Sequence, residues 1–259
     1  MSRVRSLPSA RFLLLAFVFV TLLAIGPLQG MDRAANRRWA AELGHGVFSV
    51  LNHVLDPIAS HAVNLPVMVV VSLVVVWRAR SLRPGVIALL AEGGFYLTGV
   101  VKMAFARPSP DLHDPQFFSG GLWSDGRFGV SFPSGHAVEA VLIYGSLVYI
   151  VATYANPSPR LLRWIRVIWA LVVINCVTTS FLLGYHWISD LLGGVIFGAL
   201  LLRLIVDLDK GRGLFARLPV PHWLAWPPPS GRAHRATDPA TLPQQSSAPA
   251  TTRRSSARE

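Results

Sequence analysis

Cysteine is nearly absent from this chain. The single one, Cys176, lies in an apolar run, so no intrachain disulfide can form and the residue reads as a small buried apolar group. Charge is also scarce. Only 14% of the 259 residues are charged, against about 25% in an ordinary soluble domain. That deficit, with 52% hydrophobic residues in long runs, excludes a water-soluble enzyme of the usual kind. In lipid such runs must be helices, because each backbone N–H and C=O has to be satisfied within its own segment. Acidic residues are few as well, 13 against 24 Lys and Arg, for a net charge of +11. The basic residues sit in short clusters between apolar runs and in a polar tail. That distribution reads as membrane topology and not as a nucleic-acid surface.

Six stretches have the length of a span, roughly 17–25 residues: 11–28, 62–78, 84–105, 136–155, 164–183 and 187–206. The third is interrupted by Glu92, Gly93 and Gly94. The first carries Arg3, Arg5 and Arg11 ahead of its apolar core, as a signal peptide would. Its core from Phe12 to Leu28 is long, and no clear small-residue cleavage site follows, so it is read as an uncleaved anchor. Residues 30–61 are polar enough to lie outside the hydrocarbon, with an interfacial helix expected around Arg37–Leu55.

The expected architecture is an all-α, polytopic membrane helical bundle over residues 1–218, with a disordered, basic, Pro/Ser-rich cytoplasmic tail over 219–259. Orientation follows from the basic residues. With a cytoplasmic N-terminus, 18 of the 24 Lys and Arg fall inside and six outside. Both termini are therefore expected in the cytoplasm.

This topology brings three polar clusters to the outer face. Lys102 and Arg107 close the third span. Pro133-Ser134-Gly135-His136 opens the fourth. His186 and Asp190 stand where the fifth turns into the sixth. Ser134 and Gly135 precede a helix whose free N–H groups and dipole attract an anion. His136 beside them can donate a proton to a leaving oxygen. Lys102 offers positive charge to a phosphoryl group. Alone, it would read as a lysine snorkelling to the headgroups. His186 and Asp190 are four apart and share a helix face, so a carboxylate can fix the imidazole tautomer and free its other nitrogen as a nucleophile.

These residues resemble the type 2 phosphatidic acid phosphatase and vanadium haloperoxidase superfamily. Its three motifs are Lys-x6-Arg-Pro, Pro-Ser-Gly-His and Ser-Arg-x5-His-x3-Asp. Here they read Lys102-x6-Ser109-Pro110, Pro133-Ser134-Gly135-His136 and Thr179-Ser180-x5-His186-x3-Asp190. The likeness covers about residues 84–206. It implies a helical bundle acting on a lipid phosphate or diphosphate without metal or cofactor. His186 would be the nucleophile, Asp190 its orienting partner and His136 the general acid. Lys102, Ser134 and Gly135 would hold the phosphate.

Both family arginines are replaced, by Ser109 and Ser180. Losing one such donor costs roughly 10²–10³ in rate. Arg107 and Arg127 are candidates to reach the phosphate in their place, or else are solvated. Asp111, His113, Asp114 and Asp125 read as a solvated loop and not a metal site. Glu92, costly within a span, is expected to face a polar partner such as Asn175.

The expected function is a lipid-phosphate phosphatase of the bacterial inner membrane, with its site facing the exterior. The alternatives are a head-group phosphotransferase and a weak or inactive relative that binds without turnover. The partners expected are the lipid substrate and the bilayer. No oligomeric state follows from the sequence.

Overall fold

The computed structural model describes residues 8–36, 39–120 and 130–212. Among these residues all regular structure is helical. Five helices are long and apolar enough to cross a membrane, or six if the bent N-terminal pair counts as one span. The protein is thus a multi-pass membrane helical bundle. The expected tail from 219 onward lies outside the described residues.

The N-terminal span ends earlier than expected. Helix α1 runs Ala10–Ile25, and a second helix, α2, runs Leu28–Ala35. The break falls at Gly26-Pro27. Proline has no N–H to give the preceding turn, and its ring crowds the carbonyl four residues back. Sixteen residues rise only about 24 Å, short of a hydrocarbon core about 30 Å thick.

The interfacial stretch is broken as well. It holds short helices α3 (Trp39–Glu42) and α4 (His45–Val50), then a π turn at Leu51–Leu55 and a 3-10 turn at Asp56–Ala59. Arg37 and Arg38 lie outside the described residues.

Five long helices follow: α5 (His61–Ala79), α6 (Arg83–Phe105), α7 (Gly135–Tyr154), α8 (Pro159–Leu182) and α9 (Ile188–Asp209). Helix α7 is the axis of the bundle. Its span is 61% buried, against 17% for α8. Its side chains Val138, Leu142, Ile143 and Ile150 are closed off from the surface. Outward-facing Leu15, Phe19, Trp77, Leu89, Leu171 and Ile174 are exposed, as a lipid-facing surface requires.

Helices α7 and α9 meet through glycine. A Cβ on Gly194 would stand 2.6 Å from the Ser134 carbonyl and 2.8 Å from the Ala137 Cβ. One on Gly198 would stand 3.0 Å from the Val138 carbonyl. Small residues one turn apart let two helix backbones approach closely, which is how membrane helices pack.

The bundle has two polar ends. The end of α6 and the starts of α7 and α9 meet at one of them. At the other, Tyr154 donates to Asp209 at 2.7 Å, Tyr149 donates to the same carboxylate, and Arg83 is buried.

Candidate active site

The site is built where α6 ends and α7 and α9 begin. Ser134 caps α7, its Oγ accepting from Ala137 N at 3.4 Å. Its own backbone N–H donates to the Asp190 carbonyl at 2.9 Å. This bond joins the second motif to the third. Lys102, in the last turn of α6, reaches over Gly135. A Cβ there would meet the lysine Cε at 3.4 Å and its Nζ at 3.6 Å. Lys102 Nζ donates to the Val130 carbonyl at 2.6 Å, and an ammonium has two further protons to offer.

His186 precedes α9, and its Nδ1 lies 3.6 Å from Asp190 Oδ2. Ser131 stands beside both. Its hydroxyl donates to Asp190 Oδ2 and lies 3.4 Å from His186 Nδ1. The Nδ1 edge is thus turned toward the carboxylate. Burial holds His186 below the usual imidazole range. Its bond to Asp190 pulls upward, while the charges of Lys102 and His136 push down. These influences together favour the neutral ring.

Seven of the eight residues singled out in the sequence come together here: Lys102, Ser134, Gly135, His136, His186, Asp190 and, behind Asp190, Arg107. Lys102 and His136 lie close enough to act electrostatically on His186. Arg127 lies outside the described residues.

Arg107 is placed differently from the expectation. It is fully buried, and its guanidinium is engaged within the protein. Nε donates to the Pro115 carbonyl at 3.1 Å. Nη1 donates to Ser189 Oγ at 2.8 Å and also to Asp190 Oδ1. Nη2 donates to Asp32 Oδ2 at 2.7 Å. The Phe117 ring stacks against it, 4.6 Å from Cζ. A buried guanidinium between two carboxylates is better satisfied than one aimed at an intermittent ligand.

The replaced arginine positions differ from each other. Ser180 is buried, and its carbonyl accepts from Tyr185 N at 3.1 Å. Ser109 is half-buried and caps a short 3-10 turn at Pro110–Leu112.

Three residues at the site carried no sequence signal. Asp56 Oδ2 lies 3.9 Å from His136 Nε2. Ser131 and Asp32 flank Asp190 and Arg107. Glu92 does not meet Asn175, whose amide donates to the Leu55 carbonyl at 2.9 Å. Instead Glu92 lies 3.8 Å from His61, which sits 3.0 Å from Glu139. In the loop, Asp114 accepts from Gln116 N and Ser119 Oγ. Among the described residues no group of three or more His, Cys, Asp or Glu is arranged to hold a metal ion.

Residues 84–213 match the model of the family described as the PAP2 superfamily. Among curated proteins, phosphatidylglycerophosphatase B of Bacillus subtilis (strain 168) is 26% identical over 136 residues. That match covers 51% of this chain and 61% of the relative, so the chain spans about three fifths of that protein's length. Among solved structures, the transmembrane PAP2 type phosphatidylglycerolphosphate phosphatase from Bacillus subtilis matches with a TM-score of 0.65. At 21% identity it covers 80% of this chain and 98% of that one, which establishes a shared fold.

Proposed function

Because the chain belongs to the PAP2 superfamily, we propose that it is a membrane phosphatase that hydrolyses a lipid phosphate through a phosphohistidine intermediate. The observation that carries this reading is the orientation of His186. Its Nδ1 faces Asp190 and Ser131, and Lys102 and His136 are near enough to act on the ring electrostatically.

The steps follow from the placement. A phosphate oxygen is received by the Lys102 ammonium and by the free N–H groups at the start of α7, with Ser134 and Gly135 at the rim. His186 Nε2 attacks phosphorus, and the bond to the lipid oxygen breaks. His136 gives that oxygen its proton. The oxygen of a water then attacks phosphorus, and the phosphorus–nitrogen bond breaks with its electron pair returning to Nε2. His136, now neutral, takes a proton from that water. Phosphate leaves, and His186 is restored.

The exterior face is favoured by charge. The site lies at the ends of α6, α7 and α9 opposite the basic clusters, and 18 of 24 basic residues fall on the other side of such a topology. The relative's name points to a terminal phosphate on a glycerolipid, phosphatidylglycerophosphate, as the first substrate to try. A head-group transferase is the second reading. It is favoured by Ser180 at the position of the third-motif arginine.

The test is phosphate release from a panel of lipid phosphates by purified wild type and His186→Ala, with and without candidate alcohol acceptors. Release by wild type that His186→Ala loses supports the phosphatase. Release retained by His186→Ala overturns the phosphohistidine route. Phosphate appearing on an acceptor, with none released, supports the transferase.

A further inference from the structure

Asp32 lies outside residues 84–213, in α2, yet it ends inside the site. It is 1% exposed. Its Oδ2 accepts from Arg107 Nη2 at 2.7 Å and from the Ser189 hydroxyl. Its Oδ1 accepts from Ser189 N at 3.1 Å, in the first turn of α9. Arg107 and Ser189 in turn join at 2.8 Å, and Arg107 donates to Asp190. A buried carboxylate costs free energy unless its partners are charged and well aligned. Here every such partner leads to Asp190.

We infer that Asp32 is a positioning residue of the reaction, acting on His186 through Arg107, Ser189 and Asp190. The inference rests on the reading of His186 as nucleophile. Arg107 stands between two carboxylates. If it faced Asp190 alone, its whole positive charge would offset the charge that Asp190 presents to the imidazole. Asp32 takes a share of that positive charge and ties the guanidinium to the start of α9. Asp190 then keeps its negative character and its orientation toward Nδ1.

The groups facing His186 are few enough to give the effect a sign. Asp190 comes from α9, Lys102 from α6 and His136 from α7. Asp32 of α2 and Asn36 just after it line the small hollow beside it, and Arg107 stands behind Asp190. Asp32→Asn removes a negative charge and leaves Arg107 less compensated. A less compensated positive charge disfavours the imidazolium, so the His186 pKa falls further.

The experiment compares kcat, KM and the pH profile of phosphate release for wild type, Asp32→Asn, Ser189→Ala and His186→Ala, in detergent, with one lipid phosphate. The substrate's own ionisation is then common to all, and differences between profiles belong to the protein. Asp32→Asn is expected to lower kcat roughly tenfold, with KM nearly unchanged and the acid limb moved to lower pH. Ser189→Ala, a milder change, is expected to lower kcat about threefold with the same KM. Wild-type kcat and an unmoved acid limb in Asp32→Asn overturn the inference. So does a loss of melting temperature without movement of the limb, because that is a purely structural role. If Asp32→Asn does not fold, unchanged kinetics in Ser189→Ala overturn it. Activity surviving in His186→Ala removes instead the phosphohistidine reading on which it stands.

Discussion

Two buried acidic clusters lie in this bundle, and they are built in opposite ways. Asp190 is fully buried and receives donors from Arg107, Ser131 and the Trp187 N–H, with His186 beside it. Glu92 sits within α6 with both carboxylate oxygens buried and without a hydrogen-bond partner. Its neighbour His61 lies 3.8 Å away and is held more closely by Glu139. Buried Asn64 leaves its Oδ1 unsatisfied as well. A carboxylate with several donors has one position. A carboxylate with none has many, at a cost that burial makes worse. The contrast separates an acid held in one orientation from an acid merely housed in the span.

The largest expected effect comes from breaking the well-held cluster. Asp190→Asn should lower kcat by on the order of 10³ or more, as when the orienting acid of a catalytic histidine is neutralised. A phosphate-release assay on the purified variant checks this, and turnover within tenfold of wild type would remove Asp190 from the orienting role.

Next comes Arg107→Ala, which strands two buried carboxylates. It should cost about 3–5 kcal/mol of stability, visible as a lower melting temperature in detergent. An unchanged melting temperature would mean the buried pairing contributes little.

A subtler effect concerns pH. Burial and the nearby charges of Lys102 and His136 depress the His186 pKa despite Asp190. The proposed nucleophile is the neutral ring, so activity is expected to rise with pH as His186 loses its proton. That acid limb should be centred below about pH 6.5, the ordinary imidazole value. A limb centred above that value would contradict the assignment. The smallest effect belongs to the poorly held cluster. Glu92→Gln should leave phosphate release within about twofold and raise or preserve the melting temperature, because no hydrogen bond to the carboxylate is lost. A large loss of activity would erase the distinction between the two clusters.

Much of the site could be read along the chain, for a physical reason. Lys102, Ser134, Gly135, His136, His186 and Asp190 sit at span ends, and hydropathy fixes where spans end. The residues that hold them could not be read the same way. Asp32, Asp56 and Ser131 lie in polar stretches without a period, and only long-range folding brings them near. Arg107 was visible, but its direction was not. A basic residue in a loop beside a phosphate site looks the same whether it points outward to the ligand or inward to Asp32. Glu92 posed a related difficulty. An almost wholly apolar helix has no distinct polar face to say which neighbour a lone acid meets, and His61 took the place expected for Asn175. The first span ended early because Gly26-Pro27 breaks the helix before the apolar run ends.

The glycine seam at Gly194 and Gly198 has a mechanical consequence. With no side chain on Gly194 or Gly198, α7 and α9 pack closely enough to move as one beam, pinned at its tip by the bond from Ser134 N to the Asp190 carbonyl. The proposed phosphate cradle and the proposed partner of the nucleophile ride on the same beam. Bilayer thickness and lateral pressure are therefore expected to bear first on the more exposed α8, and less on the spacing of the candidate site residues.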